Sequence, residues 1–450
     1  MFDASFTTTT EYKKLSHALS GKGACALFGL PASGRAQVYA ALCRQLDKPL
    51  CIVTPGEAEA TRFAADLNTL GIPAAVFPAR DYVLRPIEGT AREYEYRRLA
   101  VLGELVGGRL RAVAVPAEAL TQFTTPKEDF CANTRTLHAG DTLLRDDLLA
   151  ALFGAGYTRR AQVDGPGQFS VRGDIVDIFA PDQKMPVRME FWGDEIDTLH
   201  TFDLTTQRRE DAIDKFYLSP AREVLFGKPA DAAEQLRAFL AKQRGKKKTA
   251  MADCMAADLD LLDGGAVPVN MDKYLAVRYP HPATVLDYFD DPILVAEEPA
   301  SIREADRATA YRRGEELKSL ILDGVLCAGL DNLYADPSYL WSKTGHYRTI
   351  CAENFARSMP DQPLKDIINA PAHTLPAWNG EVAGLLEDLK PLCDAGYTVT
   401  LLAGTDRAAA GLARDLRDKG ILVTTDAAAA PAAGLVQVLA GHLSAGCEFP

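Results

Sequence analysis

Two different rhythms of apolar and polar positions divide this chain. In the first 125 residues, short apolar runs at 24–30 (ACALFGL), 49–53, 75–77 and 112–115 alternate with amphipathic stretches at 33–46, 57–70 and 92–106. Apolar runs without a polar break suit strands buried on both faces, and the 3.6-residue period between them marks helices. Such βα alternation predicts a parallel sheet with helices on both sides. Near residue 125 the rhythm changes. A helix is predicted at 141–154, and strands then dominate to about 203. Val187, Met189 and Phe191 alternate with Arg188 and Glu190, the period-2 pattern of a half-buried antiparallel strand. The stretch 167–209 reads as three strands, and with the helix before it predicts a small α+β domain inserted into the first.

From 212 the chain reads as mostly helical, with helices at 229–244 and 251–262 bracketing Lys246, Lys247 and Lys248. A solvated loop or a contact to DNA are the two readings of that lysine run. A short strand at 293–296 (ILVA) precedes a long helix at 301–322, and 330–375 looks irregular. Alternation returns at the end, with helix 381–395, strand 398–402, a helix capped by Thr405 and closed by Gly420, and strands at 421–424 and 435–439. The chain stops soon after a strand, without a polar tail, as a piece of something longer would.

The predicted fold class is α/β. A parallel-sheet domain takes 1–124 and 211–330, the inserted α+β domain 125–210, a linker or wrapping segment 331–375, and a small α/β domain 376–450. A length of 450 residues agrees with about two to four domains. Lys and Arg number 49 against 61 Asp and Glu, so the net charge of −12 argues against a dedicated nucleic-acid coat. The start lacks a secretory signal, and no apolar run reaches the ~18 residues of a membrane span. Nine scattered cysteines without a Cys-x-x-Cys pair read as buried free thiols of a reducing cytoplasm. Seven histidines without ligand spacing leave no zinc site or other metal site.

One motif points to nucleotide chemistry that has been lost. Gly29, Leu30, Pro31, Ala32, Ser33, Gly34, Arg35 and Ala36 follow a strand and open a helix, the setting of a phosphate loop. That loop needs a compact ammonium for the phosphates and a hydroxyl for magnesium. Arg35 is a planar fork, Ala36 has no hydroxyl, and Pro31 removes a backbone donor. An ordinary glycine-rich turn and a weak anion site remain as readings, and ATP hydrolysis is not expected. The acidic partner motif of such a loop has its nearest candidate in Glu297-Glu298, otherwise a solvated strand end.

The stretch 167–209 carries recognition-type side chains and no catalytic group. Gly173 interrupts a strand, which suggests a β-bulge, and Gly193-Asp194 suggests a hairpin turn. Arg159 or Arg160, Arg172 and Phe179 are candidates for one exposed docking face. Against that stands a plainer arrangement, in which Arg172 pairs with Asp174 or Asp194 and Phe179 is core.

At these residues the chain resembles a family. FSVRGDIVDIF at 169–179, VRMEFWGDEI at 187–196 and FDLTTQR at 202–208 are similar to the signature shared by UvrB and the transcription-repair coupling factor Mfd. SPARE at 219–223, TVLDYF at 284–289, FPARD at 77–81 and REYEYRRLA at 92–100 extend the likeness. Two features favour Mfd over UvrB, namely the degenerate phosphate loop and the short 78–91 connection, which has room for one aromatic, Tyr82, and no DNA-gripping hairpin. The resemblance implies a helicase-like sheet domain without catalytic residues of its own and an inserted domain that recruits UvrA. It implies contact through Arg172, through Arg159 or Arg160, and through Phe179. It further implies that an ATP- and magnesium-dependent motor, with sites for RNA polymerase and double-stranded DNA, lies beyond residue 450, and that a C-terminal domain of the full protein masks the UvrA surface. A UvrB-type nucleotide-dependent helicase is the alternative.

Overall fold

The structure, a computed structural model, describes residues 6–87, 92–355, 362–375, 382–430 and 432–449. Strands β1 (Gly23–Phe28), β2 (Leu50–Thr54), β3 (Ala74–Val76) and β4 (Ala112–Pro116) come first, joined by helices. The insertion adds β5 (Arg135–His138), β6 (Thr158–Arg159), β7 (Gln168–Arg172), β8 (Ile175–Phe179), β9 (Val187–Trp192), β10 (Glu195–Phe202), β11 (Arg209–Ala212) and β12 (Lys215–Leu218). The chain then returns with β13 (Ile293–Glu297), β14 (Arg348–Glu353) and β15 (Leu364–Asn369). These build a seven-stranded parallel sheet in the order β15-β1-β14-β13-β2-β4-β3.

Burial on both faces accounts for the unbroken apolar runs. Cys25 and Leu27 of β1 face the helices Ala32–Leu46 and Glu57–Thr69, whereas Ala24, Ala26 and Phe28 face the layer that includes helix Glu93–Val106. The segment 331–375, expected as a linker or wrapping segment, instead gives the sheet an internal strand, β14, and its edge strand β15. The run at 349–352 (TICA) is too short to announce a strand amid polar neighbours. Residues 356–361 of that segment lie outside the described residues.

The insertion is a six-stranded sheet, β11-β10-β9-β8-β7-β6, with helix Arg145–Gly154 packed on one face. Its stem is the antiparallel pair β5–β12, so the expected limit at 210 falls inside β11 and the insertion closes later. Four strands and the start of a fifth occupy 167–209, where three were expected. The expected bulge at Gly173 is a two-residue turn. Arg172 pairs with Ile175, and Gly173 takes φ +62, as Gly193 takes +63 between β9 and β10. Glycine first, at positive φ, is the order of a II′ hairpin.

Three sequence motifs meet where the insertion joins the body. Arg98, fully buried, donates from Nε to Glu223 Oε1 at 2.6 Å and from Nη1 to Pro78 O at 3.1 Å, and its guanidinium lies 4.1 Å from the Phe77 ring. Arg80 pairs with Glu223 at 3.2 Å and with Asp272 at 2.7 Å, while the backbone N–H of Glu223 donates to Glu95 at 3.0 Å. Burial raises the Glu95 carboxyl, but Arg80, Arg222 and Arg92 outweigh it and hold the group at about 2. A buried carboxylate is tolerable only with such pairing.

The C-terminal part adds β16 (His373–Leu375), β17 (Val399–Leu402), β18 (Val423–Thr424), β19 (Val436–Leu439) and β20 (Gly446–Glu448). A parallel β17-β19-β18 sheet packs against helices Val382–Asp394 and Asp406–Asp418, the latter capped by the Thr405 hydroxyl as expected. Residues 376–381, where the predicted helix 381–395 begins, lie outside the described residues. Past β19 the chain folds back on the first domain. Ser444 bonds Asp66 through both backbone N–H and hydroxyl, and β20 pairs with β16. Among the described residues, no helix is long and apolar enough to cross a membrane. The nine cysteines are free, but only five are buried, and Cys131 is exposed.

Candidate docking face and the closed phosphate loop

The glycine-rich loop has been wound into a helix. β1 ends at Phe28 and the next helix starts at Ala32, so residues 29–31 are the whole connection. A phosphate loop instead curls successive backbone N–H groups around its anion before the helix begins. Here Arg35 N–H already donates to Pro31 O at 2.9 Å. Both glycines serve close approaches of the chain itself. A Cβ on Gly29 (φ +87) would lie 2.9 Å from Asn369 Oδ1 and 3.0 Å from Ala370 O, and one on Gly34 would lie 2.9 Å from Cys447 Sγ of β20. Ala36 sits fully buried in the apolar core.

Arg35 itself is turned inward and engaged. Its Nη2 pairs with Glu297 Oε2 at 2.9 Å, and Nη1 donates to Glu298 Oε1 at 3.1 Å, Asn354 Oδ1 at 3.2 Å and Leu30 O at 3.3 Å. Tyr39 donates its hydroxyl to Glu297 Oε1 at 2.5 Å. Glu297, expected as a solvated strand end, is 1% exposed. Burial pushes its carboxyl up to about 6 against the pull of Arg35. Arg35 and Glu297, the two candidate halves of a nucleotide motif, thus pair with one another.

The inserted sheet keeps charge near its surface. Arg172 and Arg188 share the buried carboxylate of Asp177. Arg172 Nη2 lies 2.5 Å from Oδ2, and Arg188 bonds at 2.7 and 3.0 Å. Arg172 therefore pairs with neither Asp174 nor Asp194, and its side chain remains 46% exposed. Pairing register places Gln168, Arg172, Ile175, Asp177, Phe179, Arg188, Glu190 and Trp192 on the face away from the helix. Phe179 shares that side with Arg172 but is buried with Val163 and Phe202, so it is core and not a surface contact. Arg159 and Arg160 are both exposed. β6 pairs Arg159 with Phe169, putting it on the helix side, whereas Arg160 is the next residue along, toward the side of Arg172.

Over this sheet and its stem, the family model of the UvrB interaction domain matches residues 136–224. Along 94% of its length the chain is 25% identical to the transcription-repair-coupling factor of Bacillus subtilis (strain 168). The chain resembles the transcription-repair-coupling factors. Those of Staphylococcus haemolyticus and Staphylococcus aureus (strain MRSA252) are 25% and 23% identical over 94% of it. The chain spans 36–37% of the length of these relatives.

Sequence reasoning missed one surface feature of this coupling-factor-like domain. Trp192, at the variable position of the EFxGDE motif, is 83% exposed. The motif itself held the signal, since a tryptophan beside a Gly-Asp turn has little around it to cover it. Two other expectations resolve quietly. Tyr82 is buried and donates to Phe123 O at 2.7 Å. Lys246, Lys247 and Lys248 are exposed in the first turn of helix Gly245–Asp263, so the lysine run is helical and not a loop.

Proposed function

We propose that this chain is a non-catalytic module of a transcription-repair coupling factor, which recruits UvrA to stalled RNA polymerase in nucleotide excision repair. The observation that carries the reading is the inserted domain, similar to a UvrB interaction domain, with Arg172 left half-exposed on its open face. Two guanidiniums against one carboxylate leave this patch positive in a chain of net charge −12, which suits an acidic partner surface. By this reading Arg160, one residue past the Arg159–Phe169 pair, contributes to the face and Arg159 does not. The full protein, by this reading, is a cytoplasmic ATP- and magnesium-dependent translocase on double-stranded DNA, its motor outside this chain, and its intact form binds UvrA less tightly than this module does. Binding of the 450-residue chain to purified UvrA tests the reading, with Arg172→Ala weakening it and an unchanged affinity counting against the face.

The alternative, a UvrB-type nucleotide-dependent helicase, is disfavoured by the Arg35–Glu297 pair and by the helical winding of the loop. ATP turnover by this chain that disappears on substituting Gly34 would restore it.

A further inference from the structure

Trp192 is the one large apolar side chain on the open face that sits almost wholly in solvent, at 83% exposure. It ends β9 beside Gly193 and pairs in register with Glu195. One strand, β8, lies between it and Arg172. Arg172 faces Ile175, Ile175 faces Glu190, and Trp192 is the next residue along β9 on that same side. Glu190 is itself engaged by Arg209 from β11, and the exposed Glu195 flanks the indole from β10, on the side away from Arg172.

The end of the sheet that carries Trp192 is held stiff. Leu143 N–H donates to Asp194 O at 2.7 Å, and Thr142 bridges to Glu195, which fixes the β9–β10 turn. Two residues on, Arg145 donates to Gly173 O at 2.8 Å and pairs with Asp174 at 3.2 Å, which fixes the β7–β8 turn. A single segment therefore stitches both Gly-Asp turns together, and with them the bases of Arg172 and Trp192. A stiff platform carrying a bare indole and a half-exposed guanidinium on one face is the make-up of a binding hot spot, because little backbone ordering is left to lose on association.

We infer that Trp192 is the anchor of this docking face. Its indole seats in an apolar cleft of UvrA whose rim presents carboxylates to Arg172. This inference rests on the UvrA reading above and adds the residue that sets its strength. The indole supplies apolar burial, and the arginines supply orientation and salt-dependent encounter.

Titration of UvrA with the wild-type chain, Trp192→Ala, Trp192→Phe and Arg172→Ala tests it, with acrylamide quenching of tryptophan emission as a second readout. Trp192→Ala is expected to weaken binding about tenfold or more, and Trp192→Phe less. The part of the emission that Trp192→Phe lacks should become shielded from acrylamide in the complex. Wild-type binding with Trp192→Ala equally tight, or with that emission still quenched, overturns the anchor and leaves the UvrA reading standing. No binding of UvrA by the wild-type chain removes both. Self-association of the chain that Trp192→Ala abolishes in sedimentation, with UvrA binding intact, assigns the indole to a second copy and overturns the proposal.

Discussion

The glycine-rich loop and the proposed docking face are both built from arginines and carboxylates, with opposite stoichiometry. At the loop, one guanidinium, Arg35, meets two carboxylates, Glu297 and Glu298. At the docking face, two guanidiniums, Arg172 and Arg188, meet the single carboxylate of Asp177. In the first cluster burial raises the pKa of Glu297 against the pull of Arg35, with Glu298 beside it a lesser contributor whose side chain is 32% exposed. The second has one arm half in water and offers its excess positive charge outward. The same residue types act as a strut in one place and as a hook in the other, and burial with charge count decides which.

Removing Arg35 breaks this contrast most severely. Arg35→Ala leaves Glu297 buried without its guanidinium and is expected to cost about 3–5 kcal/mol in urea denaturation at neutral pH. The loss should shrink near pH 5, where the orphaned carboxyl takes up a proton. A mild neutral-pH effect would mean that water reaches the pair. Smaller is the contribution of Glu297 itself. Its folded pKa of about 6 lies above the ordinary 4.5, so the folded state binds more protons and stability falls as pH rises from 4.5 through 6. This decline should amount to on the order of 2 kcal/mol and be absent from the pH profile of Glu297→Gln. Arg172→Ala, at the half-exposed cluster, should leave the melting temperature nearly unchanged. Its effect should appear as a loss of about 1–2 kcal/mol in UvrA affinity, shrinking with added salt. The smallest effect separates Arg160→Ala from Arg159→Ala. Only the former is expected to weaken UvrA binding, by up to about 1 kcal/mol at low salt, and the reverse order would show that β6 register does not govern the reach of these side chains.

Much of the fold was legible because burial imposes composition. Apolar runs at 24–30, 49–53, 112–115 and 293–296 had to be internal strands, and the alternation at 187–191 had to be a sheet with one wet side. β14 escaped notice because a short run needs its neighbours to be recognised, and those neighbours are β1 and β13, far away in sequence. The same distance hid the fate of the phosphate loop, since Arg35 and Glu298 stand 263 positions apart. Local motif arithmetic could say that Lys and a hydroxyl were missing from the loop, but not that its arginine had found an acid. Phe179 stood between a docking contact and the core for a related reason. Its side of the strand follows from alternation, but the cover supplied by Val163 and Phe202 comes from other segments. Trp192 is the reverse case, apolar by composition and exposed because nothing folds over the end of the sheet.

Glu223 has a mechanical consequence. It stands just past β12, where the insertion rejoins the body, and is gripped there by Arg80 and Arg98 from two other segments of the first domain. The joint therefore lacks an elbow. A pull applied at the Gly-Asp turns runs down the stem into Arg98 and the helix that lies on the parallel sheet, and little of it is lost in a pivot. A cargo held at that end travels with the body as a load on a fixed bracket travels, and its bearing is set by the fold instead of by a tether.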